Sequence, residues 1–63
     1  MTPSEALAIR TDAGLSQKEL AALFGVHVDS IRNYERGRKP IQGPVRTLYL
    51  VLDRGGAVLL RSV

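Results

Sequence analysis

The chain has 63 residues, no cysteine, a single histidine (His27) and a formal net charge of +3. Its length allows one domain and lies near the lower limit for folding alone, where only about 60% of the unfolded surface is buried. The composition leaves no disulfide staple, thiolate metal site or histidine-based metal cluster, and no apolar run approaches the roughly 18 residues that span a membrane.

Residues 1–5 lack the basic start and apolar stretch of a signal peptide, so a cytoplasmic protein is expected. The hydrophobic fraction of 44% and charged fraction of 24% suit a globular domain rather than disorder. A pocket with convergent polar groups, as catalysis usually requires, is hard to fit into this length. No cofactor or metal is expected.

Thr2-Pro3-Ser4-Glu5 reads as a helix start: Thr2 caps, Pro3 takes the first position and Glu5 reaches back. Ala6, Leu7, Ile9 and Arg10 follow at helical spacing and Gly14 supplies the stop, which predicts a helix over about 3–13. Ser16-Gln17-Lys18-Glu19 is a second capping box. It opens a helix over about 16–24 with Leu20, Ala21, Leu23 and Phe24 as its stripe and Gly25 as its end. A third helix is predicted over about 28–36. In it Ile31, Tyr34 and Glu35 fall on one side, and Asp29, Arg32, Asn33 and Arg36 form the opposite face.

Residues 38–43 read as a loop punctuated by Pro40 and Gly43. Pro44 opens a fourth helix over about 44–53, with Val45, Leu48, Tyr49 and Leu52 on one stripe and Leu50 and Val51 elsewhere. After Gly55-Gly56, residues 56–63 form an apolar tail, either a short helix or a strand. The expected fold is all-α: a compact domain of four to five helices.

The charge is uneven. Residues 1–31 carry two cations against four carboxylates, whereas residues 32–63 carry seven against two. Four of the nine cations, Arg32, Arg36, Arg38 and Lys39, lie between positions 32 and 39. Such clustering suits a polyanionic partner, and equally a solvated basic face.

The second and third predicted helices are short and joined by a turn containing Gly25, as in a helix-turn-helix. The stretch from Leu15 to Val26, followed by Ile31-Arg32-Asn33-Tyr34-Glu35-Arg36-Gly37, resembles the lambda-repressor-like, Cro/cI-type (XRE) DNA-binding domain over about residues 4–53. Several unlike requirements coincide: small Ala21 where helices cross, Gly25 at the turn, apolar Val26 after it, Ile31 and Tyr34 for the core, then Glu35 and Gly37.

The resemblance implies roles for individual residues. Gln17, with Ser16 at the same helix end, would hold a DNA phosphate, as free N–H groups and the helix dipole favour; a plain helix-start residue is the alternative. His27, Val28, Asp29, Arg32 and Asn33 occupy the base-reading positions. Asn33 suits adenine, Arg32 guanine and Val28 a thymine methyl. Arg36, Arg38 and Lys39 would meet phosphates. Asp29 can accept from cytosine or, the favoured reading, orient Arg32 or Asn33. His27 stands where relatives often cap with Ser or Thr, and a histidine caps poorly. In relatives an arginine of the first helix bridges to the glutamate ending the recognition helix. Arg10 and Glu35 match those positions.

The family usually dimerises on inverted-repeat operators whose half-sites lie about 34 Å apart. Leu50, Val51, Val58, Leu59 and Leu60 exceed what one small core needs, so a homodimer through them is expected; alternatively the tail closes the monomer's own core. The resulting expectation is a sequence-specific regulator of double-stranded DNA, a repressor of its own operon of the phage, antitoxin or anti-defence type, with no enzymatic activity. A protein-interaction adaptor on the same fold is the alternative, which the charged and amide groups of the third helix disfavour. An RNA-binding module is disfavoured by the lack of exposed stacking aromatics.

Overall fold

The computed structural model describes residues 1–55, which fold into α1 (Pro3–Asp12), α2 (Gln17–Phe24), α3 (Val28–Glu35) and α4 (Pro44–Asp53), with no strand among them. The all-α expectation holds. The tail over 56–63, with Val58, Leu59 and Leu60, falls outside the described residues.

Side chains close two helix starts in the same way. Thr2 Oγ1 accepts from the Glu5 N–H at 3.1 Å, and Glu5 Oε1 accepts from the Thr2 N–H at 2.9 Å. The second bond holds the Glu5 carboxyl below the usual carboxylate range. Ser16 and Glu19 repeat the box at 3.0 and 2.9 Å. Each box satisfies two N–H groups that a helix cannot satisfy itself.

Helices α1, α2 and α3 also end alike. Leu15 N–H bonds Arg10 O, Val26 N–H bonds Ala21 O, and Arg38 N–H bonds Asn33 O, at 3.2, 3.0 and 2.9 Å. An inner bond from the preceding glycine N–H completes each Schellman end. At Gly25 this geometry needs φ of +70°, which costs other residues about 1–2 kcal/mol. Gly37 adopts a similar φ of +75°, and there too it is the backbone conformation that favours glycine, since a Cβ would only touch Pro3 Cγ at an ordinary 3.4 Å.

The core draws on every helix. Leu20, Ile31 and Tyr49 are fully buried, each of the two aliphatic side chains contributing about 1.5–3 kcal/mol relative to exposure. The Tyr49 ring meets Phe24 edge-on at 5.0 Å and Tyr34 at 6.3 Å, so α4 packs an aromatic wedge beneath the α2–α3 pair. Ala21, 3% exposed, supplies the small surface where the helices approach. Two positions differ from the sequence reading. Leu7, placed with Ala6 and Ile9, is 43% exposed, because it lies about 100° around the helix from Ala6. Ile41, in a segment read only as loop, is buried in the core.

Candidate nucleic-acid interface

Helix α3 lies on α2 and α1 through Ile31 and Tyr34, leaving its other side to solvent. With its side chains an α-helix such as α3 is about 10–12 Å across, which fits a DNA major groove about 12 Å wide. Asp29, Arg32 and Arg36 are exposed on that side and Asn33 is half-buried at its edge. Val28 is half-buried against the core, so only part of its side chain is presented outward.

The first turn of α3 forms a small polar cluster. His27 caps it after all: its Nδ1 accepts from the Asp29 N–H at 3.1 Å. Arg32 Nη1 donates to Asp29 Oδ1 at 2.8 Å, while Asp29 Oδ2 lies 3.5 Å from His27 Nδ1. The two oxygens of this carboxylate differ: Oδ1 is engaged by Arg32, whereas Oδ2 lies only near a ring nitrogen that already serves as an acceptor. The first fixes the guanidinium of Arg32, whose side chain is still 45% exposed.

Beyond α3 the chain is basic. Arg36 and Arg38 are exposed. Lys39 is drawn over the Tyr34 ring, with Nζ 5.4 Å from its centroid, so its stem is steadied on the core while its ammonium stays at the surface.

At the start of α2, Ser16 Oγ is used as the cap acceptor, which leaves its hydroxyl proton for another partner. The Gln17 side chain is not free. Its Nε2 donates to Glu35 Oε1 at 3.1 Å. Glu35 also accepts from Arg10, at Oε2 from Nε (2.6 Å) and at Oε1 from Nη2 (3.0 Å), while Arg10 Nη1 reaches Leu15 O at 2.9 Å. The two charged side chains are 13% and 7% exposed, and the bond to Glu35 raises the arginine's already high pKa. One carboxylate thus joins the end of α1, the start of α2 and the end of α3. The Arg10–Glu35 bridge is the one that the family resemblance implies; the Gln17 bond to Glu35 is not foreseen by it.

Below this network the Tyr49 hydroxyl is buried without a hydrogen-bond partner. Burial, with Glu35 and Tyr34 nearby, pushes its pKa up to about 12. Leu50 and Val51 are half-buried on α4. Among the described residues no group of acidic or histidine side chains could hold a metal, and no helix is long and apolar enough to cross a membrane.

These features define a DNA-binding helix-turn-helix regulator: two short helices locked at a glycine turn, with a polar helix face and a basic segment beyond it. The family model described as helix-turn-helix matches residues 7–45, well over half of the chain and the whole of α2, the turn and α3. The chain belongs to this family, in its Cro/cI (XRE) type. No curated protein and no solved structure matches it.

Proposed function

We propose that the protein represses transcription, of its own operon in the simplest case, by occupying an inverted-repeat operator as a homodimer. The observation that carries this reading is the solvent face of α3, where Arg32, Asn33 and Arg36 stand together and the carboxylate of Asp29 is engaged by Arg32. Charged and amide groups on a rigid helix suit base edges in the major groove.

On this reading Arg32 contacts guanine, Asn33 adenine and Val28 a thymine methyl, with His27 beside them. Asp29 orients Arg32 rather than reading cytosine, a role supported by the bond that its Oδ1 accepts from Arg32 Nη1. Ser16, Gln17, Arg36, Arg38 and Lys39 hold phosphates. Phosphate contacts supply affinity for any sequence and base contacts supply the choice among sequences.

One such helix makes a small interface, so a second copy is needed for tight binding. Leu50 and Val51, with Val58, Leu59 and Leu60 of the tail, form the proposed dimer surface. Footprinting on the promoter of the protein's own gene, repeated at rising salt, tests the reading. Two protected half-sites about 34 Å apart, lost steeply as salt rises, are expected. A single protected patch, or none, contradicts it. Sedimentation at micromolar protein tests the dimer, which a purely monomeric species would exclude.

A further inference from the structure

We infer that Glu35 is a positioning residue for DNA binding: held by Arg10, it aims the Gln17 side-chain amide so that its remaining N–H meets a phosphate. The inference rests on the phosphate role proposed for Gln17.

The chemistry follows from the donor inventory. A glutamine amide has one acceptor oxygen and a nitrogen with two N–H bonds. A free surface glutamine rotates and can present either end, and an oxygen presented to a phosphate is repelled. Here Nε2 donates one N–H to Glu35 Oε1 at 3.1 Å. That bond fixes which end of the amide is nitrogen and leaves one N–H for a second acceptor. Glu35 itself is only 7% exposed and is clamped by two bonds from Arg10. The anchor is therefore rigid, and the rotamer entropy of Gln17 is lost on folding rather than on binding. Because the same carboxylate ends α3, the grip on the phosphate and the placement of the recognition helix are set by one group.

A variant that removes the anchor without stranding a charge separates positioning from folding. Arg10→Met with Glu35→Leu replaces the ion pair by apolar groups, a change that buried pairs often tolerate, and keeps the net charge at +3. Binding is read by fluorescence anisotropy on a duplex of random sequence at low salt, after thermal melting has shown the variant folded.

The expected result is affinity lower by about threefold to tenfold, the worth of one hydrogen bond, with Gln17→Ala costing a similar factor in the wild type and nothing further in the variant. Wild-type affinity in the variant, or an equal cost of Gln17→Ala in both backgrounds, overturns the inference. No effect of Gln17→Ala in the wild type instead removes the phosphate role itself. Should the variant fail to fold, nuclear magnetic resonance of the wild type gives the answer. A Gln17 side-chain amide as rigid as the backbone supports the anchor, and one averaging freely overturns it.

Discussion

Arg10 and Glu35, 25 residues apart in sequence, are joined side to side by two hydrogen bonds of 2.6 and 3.0 Å. Both are largely removed from water, so truncating one strands the other in a poorly solvated place. Arg10→Ala is expected to lower stability by about 3–5 kcal/mol, and it also orphans Leu15 O. Thermal melting checks this, and an unchanged melting temperature would refute it.

Tyr49 presents the opposite case, a buried hydroxyl that earns no hydrogen bond. Tyr49→Phe keeps the edge-on contacts with Phe24 and Tyr34 and removes the unsatisfied group, so stability should rise by about 1 kcal/mol. The pH dependence has a definite sign. A tyrosine whose pKa rises from 10.0 to about 12 on folding favours the fold fully below pH 10, and this contribution is lost as pH rises through 12. Denaturant midpoints followed across that range should fall in the wild type and fall less in Tyr49→Phe. Destabilisation by the substitution would mean that the hydroxyl has a partner.

Asn33 and Lys39 should part company in binding assays. Asn33→Ala is expected to relax discrimination at one base pair by about 1–3 kcal/mol. Lys39→Ala should weaken all sequences alike and reduce the salt slope by about one. Competition among operator variants, each titrated at several salt concentrations, distinguishes the two. Identical behaviour would defeat the division of roles.

Asp29 offers a sharper contrast. Asp29→Ala removes a negative charge from the face of α3 and, with it, the acceptor that holds Arg32 at 2.8 Å. Binding to random DNA should therefore strengthen while preference for guanine opposite Arg32 declines. Weaker binding to all sequences would contradict the orienting role.

Much of this was legible in the sequence because it is local. The boxes Thr2–Glu5 and Ser16–Glu19 join residues only three positions apart, and both close in the structure. The polar face of α3 follows from helical spacing alone. What escaped depends on tertiary approach. Gln17 and Glu35 are 18 positions apart, and nothing in either neighbourhood shows that α2 begins where α3 ends. Ile41 sits between Pro40 and Gly43, in a segment too short for periodicity to mark it as core. The Lys39 contact with Tyr34 needs the chain to fold back after Gly37. His27 escaped for a different reason: its cap uses a ring nitrogen in place of the usual hydroxyl or carboxylate oxygen.

The central claim, that α3 reads bases from the major groove, is tested most directly by dimethyl sulfate protection on the promoter of the protein's own gene. The reagent methylates guanine N7 in the major groove and adenine N3 in the minor groove. Protection of guanine N7 is expected in two patches about one helical turn apart, lost from both in Arg32→Ala. Protection confined to adenine N3, or guanine protection that survives Arg32→Ala unchanged, would contradict that claim.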